Sequence, residues 1–211
     1  MKKAFLDLDG TLLDSRERHQ VVLHDVLEEN GCTDLNISDY LQFKAYGLRT
    51  IDYLLTRLHL PEGISYEVDK MWKDRIEEAN YLQMDQWYDG TEIFLKKLKE
   101  LGFFTIVLSA RKNAEYPVKM IRDSFLSSFI DDVVIVSPMN ATYYKEQVLR
   151  KQADKDSIFV GDTETDFDSG ERAKIKTYIL NSGFRNKSFW KKRGIANYNS
   201  LDEILREIGA I

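Results

Sequence analysis

The first residues of the chain place two carboxylates two positions apart at the end of an apolar run. Asp7 and Asp9 stand in the stretch FLDLDGT, where Gly10 allows the backbone to turn sharply. Two further acidic residues, Asp162 and Asp166, follow a later apolar segment. Carboxylates that crowd together raise one another's pKa, and a hard dication such as Mg²⁺ relieves that conflict. The pattern therefore predicts a metal site.

A hydroxyl group and a lysine complete the set of candidate reactive groups. Ser109 closes an apolar segment in the stretch LSAR, and Lys145 lies on a predicted helix, Tyr143–Gln152. A dication, a lysine and a hydroxyl donor around a free carboxylate are the components of a phosphoryl-transfer site. The residues therefore predict a site that transfers a phosphoryl group.

The elements that must position these groups are short apolar segments alternating with helical patterns. Such runs of Val, Ile and Phe suit strands that are covered on both faces. The alternation predicts an α/β fold with a doubly wound, parallel, five-strand, Rossmann-like core sheet. In such sheets ligands bind beyond the carboxyl ends of the strands, where the reactive groups fall. The predicted strands are Ala4–Leu8, Phe103–Leu108, Asp132–Ser137, Ser157–Val160 and Ile175–Leu180.

Residues 15–86, here called the helical insert, interrupt this alternation. Apolar residues recur there at helical spacing, as in the series Ile64, Val68, Met71, Trp72 and Ile76, and we find no strand pattern. We predict an all-helical inserted domain at 15–86, and a Rossmann-like core formed by residues 1–14 and 87–211. The alternative is that these helices pack on the sheet as part of a single domain.

Composition limits the classes of partner and compartment. The 211 residues are 43% hydrophobic and 31% charged, which is typical of a folded globular protein. A net charge of −5 argues against a nucleic-acid-binding surface, and no apolar stretch approaches a membrane span. Cys32 is the only cysteine, which favours a reducing compartment. We expect a cytoplasmic monomer or homodimer that binds neither nucleic acid nor membrane.

Together these motifs resemble the haloacid dehalogenase superfamily in its phosphatase-like branch, which includes phosphoglycolate phosphatases and β-phosphoglucomutases. The stretch DLDGTL that begins at Asp7 matches the first motif of the family. Ser109 matches the second, Lys145 the third, and the stretch GDTETD that ends at Asp166 the fourth. The resemblance implies a helical cap between the first and second motifs, where the insert lies.

The resemblance also implies roles for the matched residues. Asp7 attacks phosphorus and forms an aspartyl-phosphate, and Asp9 protonates the leaving alcohol and then activates water. Mg²⁺ is the implied cofactor, and its implied ligands are Asp7, Asp9 through its backbone carbonyl, Asp162 and Asp166, the last in or just behind the metal shell. The implied phosphate-binding residues are Gly10, Thr11, Ser109, Ala110 and Lys145.

Three cations are candidates for recognising the leaving group. Lys44 and Arg49 lie in the part of the insert where related proteins place a substrate-contacting loop, and Arg111 follows the second motif. The alternative for Lys44 and Arg49 is that they are ordinary solvated charges. The histidines, at positions 19, 24 and 59, share no motif, and we predict them to be surface or helix-face residues rather than ligands.

The functional prediction is a Mg²⁺-dependent phosphomonoester phosphatase that acts on a small phosphorylated cytosolic metabolite through an aspartyl-phosphate intermediate. Asp9 argues against a dehalogenase, because a halide leaving group needs no acid. Two alternatives stay open: a sugar-phosphate mutase that uses the same two aspartates, and a catalytically idle family member that binds a phosphorylated ligand.

Overall fold

The computed structural model describes residues 1–209, and its centre is a five-stranded parallel sheet. The strands of the described chain are β1 (Lys3–Leu6), β2 (Leu13–Asp14), β3 (Gln86–Trp87), β4 (Phe104–Ala110), β5 (Asp132–Val136), β6 (Ile158–Gly161) and β7 (Lys176–Ile179). The order in the main sheet is β5-β4-β1-β6-β7, with every neighbouring pair parallel. This confirms the predicted α/β fold, and each of the five predicted strands overlaps one of these.

Helices cover both faces of the sheet and form the insert. They are α1 (Arg16–Glu29), α2 (Tyr40–Ala45), α3 (Thr50–Thr56), α4 (Glu62–Arg75), α5 (Ala79–Leu82), α6 (Thr91–Glu100), α7 (Glu115–Arg122), α8 (Ala141–Gln152), α9 (Glu164–Ala173), α10 (Lys187–Lys192) and α11 (Leu201–Glu207), with a 3₁₀ turn at Ser127–Phe129. Within residues 1–209, no helix has the length and apolar character that crossing a membrane requires.

Successive residues of β1 are buried on opposite faces of the sheet, as the two-residue period of a strand dictates. Ala4 and Leu6 pack into an apolar cluster with helices α6, α7 and α11. Phe5 points the other way, into a cluster that includes Leu149 of α8. The central strand is therefore covered on both sides, which holds its carboxyl end in a fixed position.

The insert buries an apolar cluster of its own. The cluster contains Val22, Tyr40, Tyr53, Val68 and Trp72, and every member lies within the insert. A separate core is what an independently packed helical block requires, and it satisfies the helical spacing seen in the sequence.

The two chain segments that join the insert to the core are paired with each other. β2 and β3 form an antiparallel ribbon in which Leu13 is opposite Trp87 and Asp14 is opposite Gln86. The prediction that the insert contains no strand is therefore wrong at its last residue, Gln86. Strands of two residues are too short to show the alternation on which the prediction depends.

Candidate active site

The carboxyl end of β1 delivers Asp7 and the sharp turn after it. The Asp7 backbone N–H donates to the Val160 carbonyl at 2.8 Å, which holds the chain against β6. Gly10 has a φ of 80°, the left-handed conformation that glycine adopts without steric cost. The Leu8 carbonyl accepts N–H groups from the three residues that follow Gly10. Asp7 is 6% exposed at the floor of a cavity.

Asp162 lies in a tight pocket, here called the Asp162 cradle, which is formed by Gly10, Thr11, Gly183 and Phe184. A Cβ atom at Gly10 or at Gly183 would lie 2.3 Å from Asp162 Oδ2, so no side chain fits at either position. The Phe184 N–H donates to Oδ2 at 2.6 Å, and the Thr11 hydroxyl donates to Oδ1 at 3.2 Å. The carboxylate is fully buried and fixed in orientation.

Lys145 lies between two of the carboxylates. Its Nζ donates to Asp7 Oδ1 and to Asp166 Oδ1, each at 2.6 Å. Asp166 Oδ2 accepts from the Asp162 N–H at 3.3 Å, and from the N–H and hydroxyl of Thr163 at 3.0 and 2.7 Å. Asp166 therefore closes the capping box of α9 and orients Lys145.

Asp7, Asp162 and Asp166 could hold a metal ion together. Oxygen atoms of all three carboxylates lie within 4.8 Å of one another, and all three are buried. Burial and the neighbouring Asp166 raise the pKa of Asp7 to about 7 and raise the pKa of Asp162 well above its usual range. Lys145 supplies one positive charge against three carboxylates. The cluster is therefore suited to a dication.

Asp9 is held by two arginines that come from different parts of the chain. Arg111 donates from Nε and Nη2 at 2.8 and 2.7 Å, and Arg18 of the insert donates from Nη2 at 2.6 Å. Burial alone would raise the pKa of Asp9, but the Arg111 and Arg18 guanidiniums outweigh burial and hold it well below its usual range. The two guanidiniums therefore favour the anionic form of Asp9.

The reactive groups line one cavity of about 310 Å³ between the sheet and the insert. That volume is at the lower end for ligand sites, so it suits a small ligand. The core contributes Asp7, Asp9, Ser109, Ala110, Arg111, Pro138, Ala141, Lys145, Thr163, Thr165 and Phe184, and the insert contributes Arg18, His19, Trp72, Ile76 and Glu77.

The remaining predicted residues lie outside the cavity lining. Gly10 and Thr11 shape the Asp162 cradle. Lys44 lies over the Trp72 ring with its Nζ 5.0 Å from the centroid, and burial lowers its pKa to about 8. The Arg49 side chain is 76% exposed and pairs with Asp52 at 2.8 Å, so the structure does not bring it to the cavity.

His19 was predicted to be a surface or helix-face residue rather than a ligand, and it lies in α1, but its place in the cavity wall was not foreseen. Its ring lies against Phe184 and Trp72, with centroids 4.5 and 5.2 Å away, and it lines the cavity. Burial lowers its pKa well below the usual range, which favours the neutral ring. Sequence reasoning also missed Arg18. The one available signal is position, because a helix that starts directly after the first motif must place its first turn beside that motif.

The insert contacts the core on both sides of the cavity. On one side the Glu77 carboxylate accepts the backbone N–H groups of Lys112 and Asn113 at 2.9 and 3.0 Å. On the other side Arg185 donates to the Lys44 carbonyl at 3.1 Å, and the Asn186 N–H donates to a neighbouring carbonyl of α2. The insert is thereby held over the cavity.

Comparisons with known proteins agree with this geometry. Residues 4–180 match the family described as haloacid dehalogenase-like hydrolase. A phosphoglycolate phosphatase from Aquifex aeolicus is 24% identical over 201 residues, covering 87% of this chain and 86% of that protein.

Solved structures share the fold over the whole chain. A haloacid dehalogenase-like hydrolase from Streptococcus pneumoniae has a TM-score of 0.76 at 17% identity, with 99% of this chain and 98% of that one covered. A structure from Clostridium acetobutylicum, described as a predicted phosphatase, has a TM-score of 0.73 at 21% identity, with 100% and 99% covered.

Proposed function

The chain belongs to the haloacid dehalogenase-like hydrolases, in their phosphatase branch, and on that premise we propose a Mg²⁺-dependent phosphomonoester phosphatase that works through an aspartyl-phosphate on Asp7. The observation that carries the proposal is the position of Asp7, which is buried at the cavity floor between Lys145 and Asp162. The substrate class is a small phosphorylated metabolite.

The donor set fits a magnesium ion. Asp7 and Asp162 offer carboxylate oxygens, the ligands that Mg²⁺ prefers. Each oxygen of Asp162 accepts one hydrogen bond, whereas Asp166 Oδ2 accepts three and Asp166 Oδ1 accepts from Lys145. We therefore propose that Asp166 orients Lys145 and the start of α9 and does not ligate the ion directly. When bound, Mg²⁺ would neutralise charge on the transferring phosphoryl group.

Asp7 attacks phosphorus with Oδ2, because Lys145 holds Oδ1. The P–O bond to the leaving alcohol breaks as the bond to Asp7 forms. Lys145 and the Ser109 hydroxyl stabilise the negative charge on the phosphoryl oxygens. Water then attacks the phosphorus of the aspartyl-phosphate, which releases inorganic phosphate and restores Asp7.

Asp9 transfers protons in both halves of the reaction. It protonates the leaving alcohol in the first half and takes a proton from water in the second. The second role needs the anionic form, which the Arg111 and Arg18 guanidiniums favour because they lower the pKa of Asp9. The first role needs a proton on Asp9, and movement of the insert would provide for it, because Arg18 leaves with the insert while Arg111 stays with the core.

We further propose that the insert is a cap domain over a two-part core, residues 1–14 and 87–211. Its separate apolar cluster and the paired linkers support this division. A cytoplasmic location and a monomeric or homodimeric state stay predictions.

The test is phosphate release from a panel of phosphate esters, including phosphoglycolate, with Mg²⁺ and with a chelator in its place. We expect turnover that requires the metal. Isomerisation of a sugar phosphate without phosphate release would instead identify a mutase. Absence of turnover on every ester, together with retained ligand binding, would identify an idle family member.

A further inference from the structure

A short segment after β7, residues 183–186, lies against the Asp162 carboxylate. A Cβ atom at Gly183 would be 2.3 Å from Asp162 Oδ2, so the backbone of the segment packs directly on this carboxylate. The Phe184 N–H donates to the same oxygen at 2.6 Å. The first half of the segment therefore fixes the direction in which the Asp162 carboxylate points.

The second half of the segment is bonded to the insert. Arg185 Nη1 donates to the Lys44 carbonyl, and the Asn186 N–H donates to the Ala45 carbonyl, each at 3.1 Å. Both carbonyls belong to the last turn of α2. A displacement of α2 therefore has only two residues over which to relax before it reaches the Phe184 N–H.

The Arg185 side chain makes this connection stiff. Its Nε and Nη2 donate to the two carboxylate oxygens of Glu164 at 2.6 and 2.7 Å, and the side chain is 12% exposed. Glu164 lies in the first turn of α9, two residues after Asp162. A planar guanidinium that bonds a carboxylate with two parallel hydrogen bonds has a fixed orientation. Arg185 therefore joins the start of α9, the 183–186 segment and the insert at one point.

Aromatic rings pack the insert closely against the same region. The Phe184 ring lies against the ring of His19 in α1, with centroids 4.5 Å apart. A Cβ atom at Gly47, just after α2, would lie 2.4 Å from the Phe189 ring. Phe189 in turn packs against Trp190, with centroids 5.0 Å apart. The docked position of α2 is therefore narrowly defined, since one added carbon atom would displace it.

We propose that Arg185 is a positioning residue through which the docked insert keeps the Phe184 N–H on the Asp162 carboxylate. The inference rests on the proposed Mg²⁺ site and deepens it, because the orientation of one metal ligand then depends on the insert. When the insert is released, Arg185 and Asn186 lose their acceptors in α2, and the Phe184 N–H loses its fixed place. Closure of the insert and affinity for Mg²⁺ are therefore coupled, and each favours the other.

The first experiment moves the insert without changing a core residue. Residue-resolved hydrogen exchange of the Phe184 amide is measured by NMR in chelator, so that the result does not depend on a bound metal. Gly47→Ala should speed this exchange about fivefold or more, because the added Cβ pushes α2 away from the core. The matched control is Gly31→Ala, also in the insert and also at a positive φ, where an added Cβ meets no distant atom of residues 1–209 within 4 Å. It carries the same kind of backbone strain and should leave the Phe184 amide unchanged.

The second experiment removes the guanidinium. Arg185→Met should speed Phe184 exchange about tenfold, the effect of one charged hydrogen bond, and should weaken Mg²⁺ binding in calorimetry about threefold or more. The matched control is Arg193→Met, because Arg193 lies over the same Phe189 ring but faces Asp168 of α9 rather than the insert. It should change neither quantity. Arg185→Lys replaces the planar fork with a single nitrogen and should give intermediate values.

The outcomes separate this inference from the proposed function. Faster Phe184 exchange in Gly47→Ala and Arg185→Met, in a protein that does not bind Mg²⁺, would reject the metal-dependent function and keep the positioning role. Equal Phe184 exchange in Gly47→Ala and Gly31→Ala overturns the inference. Where the wild type binds Mg²⁺, an equal affinity in Arg185→Met overturns it as well. Should Arg185→Met fail to fold, the two glycine variants decide.

Discussion

At the scale of single residues, the candidate site holds more carboxylates than positively charged side chains. Lys145 faces Asp7 and Asp166 at equal distances, and Asp162 adds a third carboxylate. Removing one carboxyl charge therefore changes both the chemistry and the charge balance.

Asp7→Asn should abolish phosphate release, with a loss of more than about a thousandfold, because an amide is a poor nucleophile. The isosteric amide keeps the volume, so the melting temperature should stay within a few degrees of the wild type. Activity on para-nitrophenyl phosphate and thermal unfolding are the two measurements. Appreciable turnover by the variant would show that another group attacks phosphorus.

The stability of the metal-free protein should fall as pH rises from 5 to 8. The pKa of Asp7 is raised from 3.8 to about 7 by burial and by Asp166, so the folded protein keeps a proton that the unfolded chain releases. The stabilisation that comes from the protonated Asp7 carboxyl is complete below about pH 3.8 and is lost as pH rises through about 7. Melting curves in chelator should show a steeper fall for the wild type than for Asp7→Asn. Parallel curves would contradict the raised pKa. Mg²⁺ should restore more stability at pH 8 than at pH 5.

The sequence predicted residues that carry local motifs and missed contacts that form across the fold. Asp7 and Asp162 follow apolar strand patterns, and Lys145 lies on a predicted helix. The contact of Arg111 and Arg18 with Asp9 was not predictable, because Arg111 is 102 positions away and Arg18 reaches the site only through the docking of the insert.

At the scale of elements, the glycines beside Asp162 set its orientation. Gly183→Ala would place a Cβ 2.3 Å from both the Asp162 carboxylate and the Gly10 carbonyl, two groups that cannot yield easily. We expect about 1–3 kcal/mol of lost stability from the overpacking and a metal affinity reduced about tenfold or more, measured by calorimetry with Mg²⁺.

The matched control is Gly63→Ala in α4, where a Cβ meets nothing within 4 Å. It should leave metal binding unchanged and raise stability by about 0.4–1 kcal/mol. Equal metal affinity in wild type and Gly183→Ala would mean that the cradle does not orient Asp162.

The strands and long helices were predictable because each carries an apolar pattern of sufficient length. The ribbon of β2 and β3 was not, since two residues per strand carry no pattern. The β2–β3 ribbon forms only when the core and the insert are packed against each other, so it depends on tertiary contacts that no local sequence pattern shows.

At the scale of the whole molecule, the insert is held down by contacts on opposite sides of the cavity. Glu77 binds the backbone N–H groups of Lys112 and Asn113 with its two carboxylate oxygens. Such exposed contacts are individually weak. Opening of the insert for substrate entry must also break the largely buried ion pair between Arg18 and Asp9.

Glu77→Gln should therefore speed hydrogen exchange at the Lys112 and Asn113 amides, because the neutral amide is a weaker acceptor and the insert opens more often. Residue-resolved exchange measured by NMR is the test. Glu92→Gln, at an exposed position of α6, is the control and should leave both amides unchanged. Unaltered exchange in Glu77→Gln would show that this contact does not hold the insert closed.

The ribbon has a consequence for how such a protein can diversify. Because β2 and β3 run side by side, the chain leaves the core and returns to it at points about 5 Å apart. An inserted segment whose two ends are adjacent can be replaced by a segment of different length without moving the strands that hold Asp7 and Asp162. Proteins that keep the same core can thus acquire new substrates when one helical insert replaces another. The ribbon of β2 and β3 is the position at which such a replacement occurs.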